Sequence, residues 1–436
     1  MTSGFFSLPR VNRASDGWSS RSLRSMLVAR SERNRADLPL LTVARERGVF
    51  VRSVDDANHN TIPEDLSNYK VAHAGDLVIN KMKAWQGSLG LAPVDGIVSP
   101  AYFVFAADFA VPRFGEYLLR SRPYVAKFGA ASDGVRIGQW DLNIPRMRNI
   151  EVLLPPTEEQ AAIVRYLAHA NARIDKAIVA KRRLIALLEE EKKAIADVLL
   201  GQLDEGAREV RHVLSQLVDC EHKTAPFVEG EPYWVLRTSS VKSGEIVWSG
   251  AYTTDAASYE VWTSRAVPEP GDVIFTREAP VGEAAVIPDG RRVALGQRTV
   301  LMKVRKEIMD PQFLVYQVYA GLPRRRISLA TQGSTVGHFN MDDIGWMRVA
   351  VPDIEVQRQL VSKIEDANSD ANEAIDKTQS EIALLHEFRT RLVADVVTGQ
   401  VDVRSIVATL PDAPEATAEL AADSDDEFGD LQEEGL

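Results

Sequence analysis

The sequence has little cysteine, and it lacks the short motifs that mark many enzymes acting on nucleotides, peptides or DNA bases. Its 436 residues include one cysteine, Cys220, which excludes an internal disulfide and is too little for a cysteine-based zinc site. No G-x-x-x-x-G-K-[ST] phosphate loop, no H-E-x-x-H zinc motif and no D-P-P-Y or N-P-P-F base-methylation tetrapeptide occurs. These absences favour a protein that is not an enzyme and binds no metal directly.

Features of exported and membrane-embedded proteins are also missing. The first residues, MTSGFFSLPRVNRASDGW, contain no apolar signal-peptide core, and no run of 18 apolar residues is present. Hydrophobic residues make up 45% and charged residues 26% of the chain, as in ordinary globular proteins. With a single cysteine, this composition predicts a cytoplasmic protein without membrane contact.

Acidic residues outnumber basic ones, but the excess is confined to one end of the chain. The formal net charge is −11, and residues 405–436 contain ten acidic side chains with no lysine or arginine. Residues 1–155 instead carry 20 basic and 15 acidic side chains. The low overall pI therefore does not exclude a nucleic-acid partner, although neither half is as basic as a strong stand-alone DNA-binding domain. The tail itself is expected to be disordered.

Two long helical stretches, residues 153–204 and 351–403, repeat one another. Six residues of the first stretch have identical counterparts in the second. They are Pro155, Gln160, Val164, Gly201, Gln202 and Asp204, which match Pro352, Gln357, Val361, Gly399, Gln400 and Asp402. Each stretch predicts a helix of about 44 residues, roughly 66 Å long at about 1.5 Å per residue. Thr157 and Gln160 have capping-box spacing, and Gly201 and Gly399 stand where a C′ glycine ends a helix.

Both stretches have apolar residues in the seven-residue spacing of coiled coils. The predicted rows are Leu167, Ile174, Leu188 and Ile195 with Ala170, Ala177, Leu184 and Val198, and Val361, Ile375, Ile382 and Val396 with Ile364, Ala371, Leu385 and Leu392. Helices this long cannot bury such rows against one small domain, so we expect them to pack on each other in antiparallel orientation. The alternative is that each helix docks separately on its own domain.

A mixed α and β pattern precedes each long stretch. Gly75-Asp76 opens a buried strand at Leu77 and has a counterpart in Gly271-Asp272, and an amphipathic helix is predicted over residues 111–131 and again over 311–330. The expected class is α+β, with two mixed α/β domains, an antiparallel helix pair and a pseudo-two-fold internal repeat. The predicted segments are a first domain (1–155), a first helix (156–204), a second domain (205–352), a second helix (353–403) and an acidic tail (404–436).

The order of these parts resembles the specificity subunits of type I restriction-modification systems. The resemblance rests on the P-P-T-E-E-Q helix start, the L-L-x-E run, the G-Q-x-D helix end, and the G-D-(L/V)-(V/I) strand followed by a Gly-led loop. It covers nearly the whole chain except the acidic tail. No single motif is decisive, but the duplicated order of the motifs is fairly specific.

The resemblance implies a non-catalytic subunit that recognises double-stranded DNA. Each domain is then a target recognition domain for one half of a bipartite site, and the helix pair sets the spacer and docks two adenine-N6 methyltransferase subunits. Restriction and translocase subunits complete such assemblies, and S-adenosylmethionine, ATP and Mg²⁺ are expected on the partner subunits. The alternative is a two-headed coiled-coil scaffold for protein interactions that binds no DNA.

The candidate DNA-binding residues combine chemistry suited to phosphates or base edges with a place in polar loops or beside strands. In the first domain they are Lys81, Lys83, Trp85, Gln86, Arg136, Gln139 and Trp140; in the second they are Arg277, Gln297, Arg298, Thr335, His338 and Asn340. A packed Trp85 and a solvated turn explain the first loop equally well. Alignment of the two Gly-led loops pairs Arg136, Gln139 and Trp140 with Thr335, His338 and Phe339, where Trp140 and Phe339 alternatively belong to the core.

Overall fold

The chain folds into two compact units, each built around an antiparallel sheet and parts of both long helices. The computed structural model describes residues 17–45, 47–52, 65–134, 140–332 and 338–414. The first unit comprises Met1–Lys181 with Gln379–Leu436, and the second comprises Arg182–Thr378.

The first unit begins with a run of short strands and ends with the first long helix. Its elements are β1 (Ser19–Ser22), α1 (Leu23–Met26), β2 (Leu27–Ala29), β3 (Leu41–Ala44), β4 (Gly48–Val51), β5 (Lys70–Ala72), β6 (Leu77–Asn80), β7 (Leu89–Leu91), β8 (Gly96–Val98), β9 (Tyr102–Ala107), α2 (Pro112–Arg120), α3 (Arg122–Ala130), β10 (Ser132–Asp133), β11 (Asp141–Leu142), α4 (Ile144–Arg148), β12 (Glu151–Leu154) and α5 (Thr157–Leu200).

An antiparallel sheet of order β2-β9-β6-β7 is buried on both faces in the first unit. Alternate residues of a strand point to opposite faces. Leu77 and Ile79 therefore pack in a core with α2, α3 and the start of α5, whereas Val78 packs in a second core with strands β3 and β4. Smaller two-stranded sheets pair β1 with β12, β3 with β4, β5 with β8 and β10 with β11.

The second unit repeats this layout. Its elements are β13 (Arg208–Glu209), β14 (Leu214–Asp219), β15 (Tyr233–Leu236), β16 (Val241–Lys242), β17 (Glu245–Ile246), β18 (Tyr252–Thr254), α6 (Ala256–Trp262), β19 (Val273–Arg277), β20 (Val281–Val286), β21 (Arg292–Leu295), β22 (Thr299–Val304), α7 (Pro311–Ala320), α8 (Leu322–Gln332), α9 (Met341–Gly345) and β23 (Arg348–Val349). They are followed by α10 (Ile354–Val397) and, in the first unit, α11 (Arg404–Val407).

The sheet β14-β22-β19-β20 matches β2-β9-β6-β7 strand for strand. Val273 and Phe275 face a core with α7 and the end of α5, and Ile274 faces a separate core. That separate core is closed by a three-stranded sheet, β18-β15-β21, in which β15 and β21 are parallel. The predicted α+β class with an internal repeat is confirmed.

Both long helices have 44 residues, as the sequence predicted. In the first unit, Asp175 of α5 pairs with Arg389 of α10, and Lys181 of α5 pairs with Glu381 of α10. The residue number of the partner on α10 therefore decreases as the residue number on α5 increases. In the second unit, the end of α5 shares a core with Ile364 near the start of α10. The segments of the two helices thus run antiparallel, as expected.

The helix starts depend on glutamine rather than on the predicted capping box. Thr157 is already helical, and Gln160 instead donates from Nε2 to the Pro155 carbonyl at 2.8 Å. Gln357 makes the same 2.8 Å bond to Pro352 in the second copy. The spacing of the pattern was correct, but the glutamine side chain bonds the proline carbonyl rather than the backbone N–H of a capping residue.

The helix ends differ between the copies. At the second helix, Gln400 N donates to Asp395 O and Gly399 N donates to Val396 O, with Gly399 in the left-handed region at φ 73°. This is a Schellman motif, so the predicted glycine cap is correct there. Gly201 follows the first helix but does not have a positive φ and continues the helical bond pattern, with its N–H donating to Asp197 O at 2.8 Å.

One predicted row of the first helix is wrong. Ala170 is buried as predicted, but Leu184 and Val198 are exposed and Ala177 is partly buried. Ile178 is 4% exposed, and Ile185 is partly buried where its neighbour Leu184 is exposed. The second row therefore lies four residues after Ile174 and its repeats, not three. Asn171 and Lys192 interrupt that row, which concealed it in the sequence. The rows predicted for the second helix, led by buried Ile364, Ala371, Ile375 and Leu392, are correct.

Two predicted single helices are each divided into two. In residues 111–131 the chain leaves α2 at Ser121, whose extended backbone (φ −67°, ψ 148°) precedes Arg122-Pro123 at the start of α3. In the second copy Gly321 separates α7 from α8, which begins Leu322-Pro323. Proline cannot continue a helix that began upstream, because it lacks the N–H and clashes with the preceding turn.

The structured chain extends past the boundary that the sequence set for the acidic tail. Residues Arg404–Val407 form a helical turn, and Val403 and Val407 pack in the α2–α3–α5 core of the first unit. Arg165 of α5 donates to the Leu410 carbonyl and pairs with Asp412. Residues 415–436 lie outside the described residues.

Candidate nucleic-acid interface

A glycine–aspartate turn sets the start of the central strand in both units. Asp76 and Asp272 are each 3% exposed, and each accepts a 2.9 Å bond from the backbone N–H three residues before it. Gly75 and Gly271 have φ values of 87° and 83°, a conformation that favours glycine. From this fixed turn the strand runs five residues to a cation at the same offset, Lys81 in one unit and Arg277 in the other.

The first-unit candidates that the structure describes lie together at the end of β6. Lys81 forms an ion pair with Asp141, and the ring of Trp85 lies 5.1 Å from that of Trp140. Trp85 Nε1 donates to the Met82 carbonyl at 3.0 Å, which holds the loop in a tight turn. Both indoles are half-buried, so they fix the loop by packing and still present an edge to solvent.

Lys83 and Gln86 occupy the same loop. Lys83 is exposed, and Gln86 is half-buried in the short 3₁₀ turn Ala84–Gln86. The fold therefore brings five of the seven first-domain candidates to one place. The other two, Arg136 and Gln139, fall in residues 135–139, outside the described residues.

Arg277 in the second unit is a partly buried ion-pair centre. Its side chain is 12% exposed, its Nη1 lies 3.0 Å from Asp219 Oδ2, and its Nε lies 3.8 Å from Glu278 Oε1. Its carbonyl accepts from Phe339 N at 2.9 Å, which ties the strand end to the following loop. Two carboxylates already neutralise this arginine, so a DNA phosphate would have to compete with them.

The remaining second-unit candidates surround the same strand end. Gln297 donates from Nε2 to the His222 carbonyl at 3.2 Å. Arg298 is 54% exposed, and its Nε lies 4.0 Å from Glu278, at the limit of an ion pair. His338 is also about half exposed, with Nδ1 3.7 Å from Glu278. Arg298 and His338 are thus both accessible to a ligand.

Asn340 caps a helix, and its position shows that the predicted alignment of the two Gly-led loops needs a correction. Its Oδ1 accepts from Asp343 N at 2.8 Å and caps α9, as Asn143 caps α4 by accepting from Arg146 N. The loops therefore align at an offset of 197, which pairs Phe339 with Leu142, both 3% exposed. The predicted pairing of Trp140 with Phe339 is wrong by two positions. Thr335 falls in residues 333–337, outside the described residues.

Sequence reasoning missed an arginine–tryptophan cluster in the second unit. The guanidinium carbon of Arg291 lies 3.9 Å from the ring centre of Trp248 and 4.7 Å from that of Trp234, and the two indoles meet edge to face at 5.4 Å. The sequence signal for Arg291 was a Pro-Asp-Gly turn followed by two arginines. The tryptophans could not be connected to it, because the parallel pairing of β15 with β21 brings Trp234 beside it and Trp248 comes from a separate 3₁₀ turn, Trp248–Gly250.

The described residues show neither an activated thiol nor a metal-binding cluster. Burial raises the pKa of the Cys220 thiol, which disfavours the nucleophilic thiolate. Among the described residues, no group of three or more His, Cys, Asp or Glu side chains is arranged to hold a metal ion. None of the described helices is long and apolar enough to cross a membrane.

No protein-family model matches the sequence. Among solved structures, a chain from work on complex assembly and conformational transition of the type I R-M system is 16% identical with a TM-score of 0.52, covering 91% of this chain and 100% of that chain. The HsdS subunit from Thermoanaerobacter tengcongensis is 18% identical, with a TM-score of 0.39 and coverage of 92% and 100%. The type I system S subunit from M. genitalium is 13% identical, with a TM-score of 0.34 and coverage of 89% and 98%.

The likeness to the first of these structures extends over the full length of the solved chain. It therefore includes both α/β units and both long helices, rather than one shared domain. At this identity it establishes the fold, and the resemblance drawn from the repeated sequence motifs is confirmed at that level. The chain has the fold of a component of a type I restriction-modification system.

Proposed function

We propose that this protein is the non-catalytic specificity subunit of a type I restriction-modification complex, in which each unit recognises one half of a bipartite DNA site. The observation that carries the proposal is the duplicated strand end. In each unit the same glycine–aspartate turn leads to a cation, Lys81 or Arg277, beside a polar loop. Two similar recognition surfaces in one chain suit a target with two separate half-sites.

The chemistry of the strand ends supports DNA as the ligand. Lys83 and Arg298 are exposed cations suited to phosphate contacts, and Gln86 and Gln297 are amides suited to base edges. The carboxylates beside Arg277 lower the net charge of the second site. We therefore expect recognition through a few directed contacts, with much of the affinity supplied by the assembled complex.

The outer face of α5 supports the docking of partner subunits. Leu184, Leu187 and Val198 are 45%, 54% and 85% exposed and recur at coiled-coil spacing on one side of the helix. We propose that two adenine-N6 methyltransferase subunits, which bring S-adenosylmethionine, bind the long helices through such faces. Restriction and translocase subunits would supply ATP and Mg²⁺ chemistry, and the helix pair would set the spacer between half-sites.

Methylome sequencing tests the function directly. A host that expresses this chain with its methyltransferase partner should gain N6-methyladenine in one split motif that is absent when either gene is omitted. Substitution of Lys83 and Arg298 by alanine should reduce the methylated fraction of that motif. A control is Arg208→Ala, which removes an exposed arginine of strand β13 that belongs to neither strand end.

Complete absence of a split motif in a host where both proteins are soluble and co-purify would contradict DNA recognition. It would favour the alternative of a coiled-coil scaffold without nucleic acid.

A further inference from the structure

The arginine–tryptophan cluster of the second unit has no role in the strand-end sites. It consists of Arg291, Trp234 and Trp248, and it lies at the opposite end of strand β21 from Gln297 and Arg298. The two indoles pack against the core formed by Ile274, Val293 and their neighbours, so they are a rigid base. Arg291 lies over both rings and is itself exposed to solvent.

The rings hold the Arg291 guanidinium without neutralising it. Stacking on aromatic faces uses the face of the cation and leaves its N–H edges free to donate. Within the described part of the chain, Arg291 forms no ion pair with a carboxylate; the nearest acid in sequence, Asp289, is exposed and does not pair with it. Arg277, by contrast, is partly buried and paired with Asp219 and Glu278.

We propose that Arg291, held by Trp234 and Trp248, is a DNA-backbone contact that binds a phosphate flanking the second half-site. The proposal rests on the proposed function, since it assumes that this unit binds a duplex. A planar, pre-oriented guanidinium with free edges matches the geometry of a phosphate. Because an arginine already fixed by stacking loses little rotamer freedom on binding, most of its interaction energy is available to the complex.

The position of the cluster fits a duplex that also contacts the strand end. From Arg291 to Arg298 the chain advances seven residues, at most roughly 23 Å at about 3.3 Å per extended residue. That length corresponds to at most about seven base pairs at roughly 3.4 Å each. One duplex lying along this strand therefore meets Gln297 and Arg298 at one end and Arg291 beyond the recognised bases.

The test compares Arg291→Ala with Arg305→Ala in the full chain co-purified with its methyltransferase partner. Arg305 is also an exposed arginine of the same unit, so the two variants remove the same charge. Binding to a duplex with the methylated motif and to a scrambled duplex is measured by fluorescence anisotropy across a salt titration. We expect Arg291→Ala to weaken both complexes about fivefold or more at low salt and to reduce the salt slope by about 0.9. Arg305→Ala should change either value little.

Arg291→Lys separates stacking from charge. Lysine keeps the charge but not the planar fork, so it should restore only part of the affinity and most of the salt slope. The proposal is overturned if Arg291→Ala matches Arg305→Ala, or if it relaxes the preference at one base position and leaves the salt slope unchanged. Unfolding temperatures equal to the wild type confirm that each variant is folded.

The two hypotheses fail in different ways. A wild-type complex that does not distinguish the motif from the scrambled duplex contradicts the proposed function itself. A wild-type complex that does distinguish them, with Arg291→Ala behaving as Arg305→Ala, overturns only the role of Arg291.

Discussion

Gln160 and Gln357 occupy equivalent positions but make unequal numbers of contacts. Gln357 is 0% exposed and donates to the Pro352 and Ile308 carbonyls, while its Oε1 accepts from Asp310 N. Gln160 is 4% exposed and makes only the bond to Pro155, with its Oε1 unpartnered among the described residues. The second glutamine therefore joins the start of α10 to the start of α7, which Asp310 caps.

Gln357→Leu should destabilise the protein more than Gln160→Leu does. The first change removes the partner of three buried or part-buried backbone groups, at a cost of about 1–3 kcal/mol each at most, while the second removes the partner of one. Urea unfolding of the two variants measures the difference, and amide exchange of α7 reports the loss of its connection to α10. Equal destabilisation by the two variants would contradict this account.

His73 gives the first unit a pH-dependent contact. Hydrogen bonds from the imidazole to Asp95 and Glu32 raise the pKa of His73 above its usual 6.5. A raised folded-state pKa means that the contact stabilises the fold fully below the unfolded pKa and that this contribution is lost as the pH rises through the folded value. At the acid end, the depressed pKa of Asp95 preserves the pair until that carboxyl is protonated.

His73→Gln should lower the unfolding temperature most below the unfolded-state pKa of about 6.5, and progressively less as the pH rises through the raised folded-state pKa. Thermal unfolding of both proteins across that range provides the measurement. The expected effect is small, since the ring is about one-third exposed. A difference between the two proteins that grows towards alkaline pH would rule out a charged His73 as the cause.

Some site residues were predictable because they follow a local motif, and others were not. The Gly-Asp pair fixes the turn, and the turn fixes where Lys81 and Arg277 leave the strand, so their equivalence followed from spacing. Trp140 and Phe339 were misaligned because the asparagine caps, which define the true offset, are weak signals in sequence. The Arg291 cluster depends on strand pairing between distant segments, which no local pattern encodes.

At the scale of the helix, the two C-termini show what a glycine contributes. Gly399 adopts φ 73° in the Schellman motif, so a Cβ there costs about 1 kcal/mol. Gly399→Ala should destabilise the first unit by that amount, and Gly399→Asn by less. Gly129→Ala is the matched control: this glycine lies in α3, and a Cβ added to it would meet no atom within 4 Å, so alanine there should be neutral or stabilising. Differential scanning calorimetry distinguishes these signs.

The helices were predicted correctly where the apolar periodicity agreed with proline and glycine at the helix ends. Both 44-residue helices were found, since proline marks each start and glycine each end. The second apolar row of α5 was predicted one residue too early in each heptad. The polar residues Asn171 and Lys192 lie in the inward-facing row, while the apolar residues Leu184 and Leu187 are exposed. A pattern of apolar residues cannot tell a face that packs inside the chain from one that binds a partner.

At the scale of the whole molecule, the proposed spacing role predicts a change in target without a change in half-sites. Seven residues inserted after Lys181 of α5, with seven more after Thr378 of α10, keep the coiled-coil phase and add about 10 Å to each helix. The spacer of the methylated motif should then grow by about three base pairs at roughly 3.4 Å each. Methylome sequencing of the doubly extended protein checks this.

An insertion in α5 alone is the control for the extended protein, because it shifts the register against α10. It should abolish methylation rather than lengthen the spacer. If the doubly extended protein still methylates the original spacing, the helices serve only to dock partners.

The core of the first unit is closed by residues from the two extremes of the chain. Leu23 and its neighbours pack in one cluster with Leu392, Val396 and Val407, whereas the second unit consists of the single continuous segment Arg182–Thr378. During synthesis the second unit can therefore fold as soon as its segment has left the ribosome. The first unit has to wait for nearly the whole chain, with part of its apolar surface uncovered meanwhile. Premature termination near residue 390 would consequently damage the first unit and spare the second, although the lost residues follow the second unit in the sequence.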